Sequence, residues 1–295
     1  MTIVVKIGGA RAVEPGSAIE DISSLVEADS DHLGGSEGVD AARDVIVAHG
    51  GSTKVDETLE RLGIEPDYVE TPSGVTGRFT DAETLEVFEM VLPGVLNTEL
   101  VAKLQTAGAD AVGLSGVDGG LLSGPRKSAV RVLEDGKRKI RRGDHSGSLQ
   151  SVNTELLEVL LDAGYTPVVS PPMAGAEDDG TVTPVNVDAD RTAAAIAGAL
   201  DATLVFLTDV PGILTDPTDR DSLIREVDTP AEWTRVEEAA AGGMGRKLMA
   251  AREAIEGGSP EVIVADANLE RPIYTAMEGD GTHIYPAALV QEGSA

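Results

Sequence analysis

The feature that most constrains the fold is a recurring unit in which a short apolar run ends in small residues and a helical stretch follows. The unit occurs at 2–7 before Gly8-Gly9, at 44–48 before Gly50-Gly51 and at 111–114 before Ser115-Gly116. Strands that alternate with helices are typical of a mostly parallel sheet covered by helices. We therefore predict an α/β sandwich around a mostly parallel central sheet.

Apolar periodicity and turn residues predict the other elements. Helices are predicted at 14–28, 56–62, 81–107, 153–163, 190–200, 231–241 and 244–256, and further strands at 166–170, 203–207 and 261–265. Pro93-Gly94 is expected to break the longest helix, and Pro171-Pro172 is expected to end the strand at 166–170. An acidic turn is expected at 177–180.

Charge excludes several classes of function. The chain has 51 Asp and Glu against 23 Lys and Arg, a net charge of −28, and the carboxylates are spread along its whole length. Their mutual repulsion is large at low salt but is screened at molar salt, where the Debye length falls to about 3 Å. We therefore expect a high-salt cytoplasm as the native environment. Nonspecific binding of nucleic acid is disfavoured at this charge.

Other composition features narrow the setting. The chain has no cysteine, so disulfides and thiolate metal sites are excluded. No apolar stretch reaches 18 residues, and the first residues show no basic segment followed by an apolar run. We predict neither a membrane span nor a signal peptide, and a location in the cytoplasm.

One segment, 126–142, reverses the charge of the rest. It holds eight of the 23 basic residues against Glu134 and Asp135, which leaves 15 basic and 49 acidic residues elsewhere. Asp135-Gly136 predicts a hairpin turn between strands at 130–133 and 138–141. A solvated hairpin with chance charge is the simpler interpretation, but the contrast favours a docking surface for an anionic partner. The candidate docking residues are Arg126, Lys127, Arg131, Lys137, Arg138, Lys139, Arg141 and Arg142.

The glycine turns are candidate anion sites. Ligands of open parallel sheets bind beyond the carboxyl ends of strands, where glycine lets backbone N–H groups approach an anion. Lys6 lies inside an apolar run beside one such turn, which favours a phosphate ligand over a snorkelling edge lysine. Lys247 follows another glycine cluster and by itself is typical of a surface lysine. The P-loop and dinucleotide fingerprints are absent.

Six motifs in this order resemble the amino-acid kinase family, and its N-acetylglutamate kinase branch in particular. They are VVKIGG at 4–9, VAHGG at 47–51, GRFTDAE at 77–83, PVNVDAD at 184–190, FLTDVPGI at 206–213 and GGMGRKL at 242–248. The resemblance implies a three-layer αβα sandwich that forms one domain over 1–295. It also implies an N-terminal lobe (about 1–178) for the carboxylate substrate, a C-terminal lobe (about 179–295) for ATP, and a homodimer.

Within that branch, the basic hairpin and the segment at 73–81 resemble kinases whose substrate is attached to a carrier protein. The resemblance implies that a small acidic carrier of the LysW type presents glutamate or 2-aminoadipate, and that the side-chain carboxylate receives the γ-phosphoryl group of ATP. A carboxylate is already ionised at pH 7 and needs no general base, so catalysis is positioning and charge stabilisation. Glutamate and 2-aminoadipate differ by one methylene, and the sequence does not choose between them.

The resemblance also assigns roles to individual residues. The catalytic residues are Lys6 at the transferred phosphoryl group, Lys247 at the β-phosphate, and Asp190, which holds both ammonium groups. The residues that the resemblance assigns to substrate binding are Gly50, Gly51, Ser52, Arg78 and Asn186. Those that it assigns to ATP binding are Gly8, Gly9, Thr208, Asp209 and Gly212. Magnesium bridges phosphate oxygens, and no direct protein ligand is assigned to it.

Alternatives stay open at this point. Asn186 and Asp190 could be a turn residue and a helix N-cap, and 208–212 could be a plain turn. Ser52 stands where the family usually has a third glycine. The chain could instead phosphorylate free N-acetylglutamate, or it could be a regulatory protein that binds a nucleotide without turnover.

Overall fold

The computed structural model describes residues 1–8, 15–27, 44–72, 74, 76–134, 136–240 and 243–290. Gly9, Asp135 and Gly242, which belong to predicted motifs, lie outside the described residues. The strands are β1 Ile3–Ile7, β2 Val45–His49, β3 Tyr68–Glu70, β4 Thr76–Arg78, β5 Ala111–Gly116, β6 Leu122–Glu134, β7 Lys137–Gly147, β8 Ser151–Val152, β9 Thr166–Ala176, β10 Val182–Val185, β11 Thr203–Thr208, β12 Glu226–Val227, β13 Val262–Asp266 and β14 Thr282–Ile284.

The α-helices pack around these strands. They are α1 Gly16–Glu27, α2 Ser52–Leu62, α3 Ala82–Glu89, α4 Thr98–Ala107, α5 Thr154–Asp162, α6 Ala189–Ala199, α7 Pro230–Ala239, α8 Gly243–Gly257 and α9 Pro272–Met277. A π-helical segment, Met90–Asn97, joins α3 to α4, and short 3₁₀ turns occupy Asp118–Gly120, Arg220–Ser222 and Pro286–Leu289.

Twelve of the described strands form one sheet. Its main path runs β12-β14-β13-β11-β1-β2-β9-β6-β7, with β5, β8 and β10 paired beside that path. Strands β11–β14 lie on one side of β1 and strands from the first two thirds of the chain lie on the other. Strand β1 is parallel to both of its neighbours, as are β2 to β9 and β11 to β13. The prediction of a mostly parallel sheet is confirmed.

Helices cover both faces of the sheet, which explains the continuous apolar runs. All five residues of β1 are buried. Val4 packs in one core with residues of α6 and α8, whereas Ile3 and Val5 pack in a second core with α1, α4 and α9. Successive side chains of a strand point to opposite faces, so a strand that is covered twice has no polar side. These two cores are the contacts between the layers of the αβα sandwich.

Both predicted proline breaks are wrong, for different reasons. Pro93 lies inside the continuous helical segment, in its π-helical part, where the wider turn accommodates a residue that lacks an N–H. Strand β9 continues through Pro171-Pro172 to Ala176. The prolines coincide with a bulge opposite Ser115/Gly116, after which β6 and β10 replace β2 as partners of β9. Proline is tolerated in a strand where the ladder is interrupted.

The basic hairpin is longer than the Asp-Gly turn predicts, because β6 and β7 extend over 13 and 11 residues. Several short elements escape sequence analysis altogether. They are β3, β4, β8, β10, β12, β14 and α9, each of two to six residues. Segments this short do not establish an apolar period. None of the described helices is both long enough and apolar enough to span a membrane.

The acidic composition makes a prediction about stability. Raising NaCl from about 0.1 to 1 M shortens the Debye length from about 10 to 3 Å, so we expect the Tm to rise. A gain of about 3 kcal/mol corresponds to roughly 6 °C or more in a domain of this size. Thermal unfolding followed by circular dichroism measures it. Because screening is nearly complete at 1 M, the gain should follow the Debye length and level off toward that concentration. A Tm that rises linearly with NaCl, as exclusion of the solute from the surface would produce, would contradict the prediction.

Candidate active site

Three charged side chains meet at the carboxyl end of β1. Lys6 shares the face of Val4, toward α6, and its Nζ lies 2.5 Å from Oδ1 of Asp190 in the first turn of that helix. Lys247, in the first half of α8, places its Nζ 2.9 Å from Oδ2 of the same carboxylate. Lys6 and Asp190 are buried, whereas the Lys247 side chain is 18% exposed. The predicted catalytic trio is therefore one cluster.

The close packing of α6 against α8 makes this meeting possible. A methyl group at Gly198 of α6 would lie 3.0 Å from Cα of Gly257 in α8. Glycine at both positions lets the two helices approach on the same face of the sheet. Lys247 consequently lies above β11, with its Nζ 5.7 Å from the ring centre of Phe206, the register partner of Lys6.

Burial and charge act against each other within this cluster. Burial alone would raise the pKa of Asp190, but the ammonium groups of Lys6 and Lys247 outweigh it and hold that pKa below its usual range. Burial lowers the pKa of Lys6, which Asp190 opposes. Because one carboxylate faces two ammonium groups, the cluster carries a net positive charge that an anion would balance.

The N-cap interpretation of Asp190 is wrong. The N-cap of α6 is Asp188, whose Oδ1 accepts from the N–H groups of Asp190 at 2.9 Å and Arg191 at 3.1 Å. With the cap provided two residues earlier, the Asp190 carboxylate is available to both lysines.

The Gly50–Gly51 turn packs against the same helix. A methyl group at Gly50 would come within 3.1 Å of Cβ of Ala189, next to Asp190, and one at Gly51 would overlap Leu96. Gly51 is the N-cap of α2, and no side chain caps that helix. Uncapped N–H groups at the start of a helix favour anions. Gly8, half-buried, follows β1 and is the neighbouring strand end.

Arg78 is anchored beside this turn. Its guanidinium forms an ion pair with Asp56 of α2 and donates to the Tyr68 hydroxyl at 2.9 Å and to the Ser52 carbonyl at 3.3 Å. It also lies 5.4 Å from the ring centre of Phe88. The structure thus brings together two predicted substrate residues, Ser52 and Arg78, at the start of α2.

Asn186 is bound to the base of the basic hairpin. Its backbone N–H donates to the His145 carbonyl at 2.8 Å, and its carbonyl accepts from Gly147 at 2.9 Å. Its side-chain amide donates to the Thr80 hydroxyl at 3.0 Å. Asp144, only 1% exposed, accepts from the Thr80 N–H at 3.4 Å. Strand β7 therefore connects Asn186 to the segment that carries Arg78.

Three of the five predicted ATP residues, Thr208, Asp209 and Gly212, lie at the end of β11 and in the loop that follows it, and the side chains there act mainly within the loop. The Thr208 hydroxyl contacts the carbonyls of Val210 and Ala265, and Asp209 is exposed. A methyl group at Gly212 would lie 2.6 Å from Oγ1 of Thr282, so this position needs glycine for packing. A cavity of about 230 Å³ opens beside them, lined by residues that sequence analysis missed, among them Arg220, Arg225 and Asp266.

The eight basic hairpin residues divide into two groups. Arg126 forms an ion pair with Glu177 at 2.6 Å, Lys139 forms one with Glu134 at 2.9 Å, and Arg141 pairs with Asp67 and stacks on Phe79. No ion pair to a described residue holds the other five, which are exposed: Lys127, Arg131, Lys137, Arg138 and Arg142.

A comparison with known protein families identifies the family of the chain that carries this cluster. The amino acid kinase family matches residues 1–266.

The chain belongs to the amino acid kinase family. Among its relatives, the "[LysW]-aminoadipate kinase" of Thermus thermophilus is 42% identical over 286 residues, which cover 95% of this chain and 98% of that protein. An "Acetylglutamate kinase" of Methanopyrus kandleri is 43% identical over 282 residues, covering 95% and 98%.

Solved structures of more distant relatives share the fold of this amino acid kinase. The N-acetylglutamate synthase of Neisseria gonorrhoeae superposes with a TM-score of 0.70 at 23% identity, covering 96% of this chain and 59% of that one. The carbamate kinase of Giardia lamblia superposes with a TM-score of 0.65 at 14% identity, covering 96% and 98%. These likenesses confirm the three-layer αβα sandwich.

The cluster predicts how stability responds to a change at Asp190. Asp190→Asn removes the carboxylate and leaves the buried Lys6 ammonium unpaired, so we expect a loss of about 3–5 kcal/mol in the free energy of unfolding. Urea denaturation at fixed salt measures it. Adding Lys6→Met removes the unpaired charge, and the double variant should be more stable than Asp190→Asn alone. Full stability in Asp190→Asn would show that the cluster is not electrostatically coupled.

Proposed function

We propose that this protein transfers the γ-phosphoryl group of ATP to the side-chain carboxylate of an amino acid attached to a LysW-type carrier protein. The observation that carries the proposal is the convergence of Lys6 and Lys247 on Asp190 beside Gly8 and the Gly50–Gly51 turn. The names of relatives at 36–43% identity support the carrier-bound substrate, glutamate or 2-aminoadipate. The reaction would serve lysine or arginine biosynthesis.

The residues of the cluster act by position and charge. A carboxylate oxygen attacks the γ-phosphorus while the bond to the β–γ bridging oxygen breaks, giving an acyl phosphate and ADP. Lys6 would contact the transferred group and Lys247 the leaving β-phosphate, so both lie where negative charge develops. Asp190 keeps the two ammonium groups apart and oriented, and the Gly50–Gly51 turn offers N–H groups to oxygen atoms of the reactants.

The described residues are compatible with a magnesium ion held mainly by the nucleotide. They contain no group of three or more His, Asp or Glu side chains placed to hold a metal. Magnesium, bound by phosphate oxygens and water, would neutralise charge on the nucleotide. Arg220 and Asp266, 2.7 Å apart beside the cavity after β11, are candidates for the wall of the nucleotide site.

An acyl phosphate trap tests the reaction. Hydroxylamine converts an acyl phosphate to a hydroxamate, so the wild-type protein with ATP and carrier-bound substrate should give a signal. Lys6→Met and Lys247→Met should each lower the rate by about 100-fold or more, as the loss of one transition-state donor does. Lys103→Met, an exposed lysine of α4, is the control. Absence of hydroxamate from the wild-type protein would favour the regulatory nucleotide-binding alternative.

One face of the hairpin supports the carrier-binding part of the proposal. In the β6–β7 register, Arg131 faces Ile140, Leu133 faces Arg138, and Ala129 faces Arg142. Cross-strand partners share a face and alternate pairs repeat it, so the three arginines lie together around Ile140. Ile140 is 69% exposed, whereas Val132 on the opposite face is buried. We name Arg131, Arg138, Arg142 and Ile140 the arginine face.

The arginine face offers an acidic carrier both charged and apolar contacts. Its three guanidinium groups have no ion pair with described residues, so they can pair with carboxylates of a partner. Ile140 gives the centre of the face an apolar contact. Because β7 also leads to Asn186, a carrier that docks on this face would lie at the entrance to the proposed substrate site.

The arginine face predicts a substrate-specific change in KM. Changing Arg131, Arg138 and Arg142 together to Gln should raise the KM for carrier-bound substrate about tenfold, with little change in kcat. The control is Arg61, Lys103 and Arg235 changed to Gln, three exposed cations elsewhere that alter net charge equally. The difference should shrink as salt rises. Equal KM values in both triple variants would contradict carrier docking here.

The same experiment addresses the alternative function. The Methanopyrus relative named acetylglutamate kinase favours phosphorylation of free N-acetylglutamate as a second candidate. A small substrate would not contact the arginine face, so its KM should be equal in both triple variants.

The homodimer stays a prediction, for which the exposed side chains of Met90 and Val95 provide an apolar surface.

A further inference from the structure

His49 is a buried titratable residue to which the proposed reaction gives no role. It ends β2, directly before the Gly50–Gly51 turn, and is 4% exposed. Its Nδ1 lies 3.0 Å from the carbonyl oxygen of Gly50, and its Nε2 lies 3.0 Å from Nδ2 of Asn97. Both ring nitrogens are therefore in use inside the protein.

The partners determine the tautomer of the ring. The Gly50 carbonyl can only accept, so Nδ1 must carry the hydrogen and donate it. Nδ2 of Asn97 donates to the Val168 carbonyl at 2.8 Å, which fixes the orientation of that amide. The second hydrogen of Nδ2 then points to Nε2 of His49, which accepts it. The imidazole is neutral, and burial, helped by the nearby Lys6 charge, lowers its pKa.

The hydrogen bond to Gly50 also orients the next N–H group. The Gly50–Gly51 peptide is trans, so the Gly50 carbonyl oxygen and the Gly51 N–H lie in one plane and point in opposite directions. When His49 holds the oxygen, the Gly51 N–H is directed away from the ring. Among the described residues, that N–H has no hydrogen-bond acceptor.

Asn97 is placed by an irregular feature of the fold. It is the last residue of the π-helical segment, and its Oδ1 lies where a side chain on Gly113 would be, so β5 needs glycine there. Leu96 of the same segment packs on Gly51. The π-helical segment thus contacts the turn twice, once through Leu96 and once through Asn97 and His49. Single π-turns within helices often occur at functional sites.

We propose that His49 and Asn97 are positioning residues that hold the Gly51 N–H toward a reactant oxygen. The inference rests on the proposed function, since it supplies a role to the glycine turn of that same site. His49 touches no reacting atom in this role. Its neutral ring fixes a peptide plane beside Lys6 without adding a further positive charge to the two ammonium groups of the cluster.

Two substitutions at His49 separate its two contacts. His49→Asn places an amide nitrogen near the position of Nδ1 and can still donate to Gly50. His49→Gln reaches the position of Nε2 and can still accept from Asn97. If the orientation of the peptide matters, His49→Asn should retain more of the wild-type kcat than His49→Gln. His49→Leu should lower kcat about 100-fold, which is the size of effect that a misplacement of about 1 Å near the reacting atoms produces.

Binding and turnover are measured separately in these variants. The Kd for ATP should change little in His49→Leu, because the effect falls on kcat. His283→Leu is the matched control, a second buried histidine that pairs with Glu261 at 2.7 Å and faces Ile263 in the register. It should lose stability but keep its kcat. A kcat unchanged in His49→Leu, or Gln more active than Asn, would overturn the proposal.

The ring itself provides a readout that does not need turnover. Long-range ¹⁵N–¹H correlation should show His49 as the neutral Nδ1–H tautomer at pH 7, with the signal assigned by its loss in His49→Asn. An Nε2–H tautomer or an imidazolium would overturn the proposed geometry. If the wild-type protein forms no acyl phosphate, the kinase proposal fails by itself, and the tautomer still decides whether His49 holds Gly50.

Discussion

The Asp190 carboxylate, shared by two ammonium groups, is the interaction on which the site depends. A buried lysine near the end of a doubly covered strand would be excluded unless its charge were balanced, and Asp190 balances Lys6 at 2.5 Å. The Lys6–Asp190 pair requires β1 and α6 to lie in contact at the end of β1. The Lys247–Asp190 pair places the start of α8 at the same point. One carboxylate for two ammonium groups leaves positive charge at the carboxyl end of the sheet. This excess positive charge makes the cluster suited to binding a phosphate group, in addition to stabilising the fold.

Charge is also organised on the scale of the whole molecule. The chain carries a net charge of −28, yet the arginine face concentrates three guanidinium groups, none of them paired with a described carboxylate, on one side of the hairpin. An acidic surface repels an acidic partner everywhere else, so the hairpin restricts where such a partner can dock. The base of the hairpin bonds to Asn186, which gives docking a direct structural connection to the proposed substrate site.

Several features were predictable from the local sequence, and others were not, because they depend on contacts between distant residues. The glycine turn after β2 and the basic hairpin follow from residue type and spacing. The proline predictions were wrong because the π-helical segment and the bulge in β9 accommodate residues that regular elements reject. The role of Asp188 as the N-cap, two residues before Asp190, depends on where α6 begins, and residue type does not choose between two aspartates that are both suited to a cap. His49 and Asn97 are 48 positions apart, so their contact has no local signal.

The sequence by itself determined the order of the longer strands and helices, the family, and the three charged residues of the candidate cluster. Apolar periodicity, turn residues and short motifs are local properties, and they are legible before the chain folds. Only the tertiary structure decided which charges meet, which are paired within the protein, and which stay available. Arg141 and Arg142 are neighbours in sequence, yet one pairs with Asp67 and the other is exposed. The reason is physical: successive residues of a strand point to opposite faces, and what covers each face comes from distant parts of the chain.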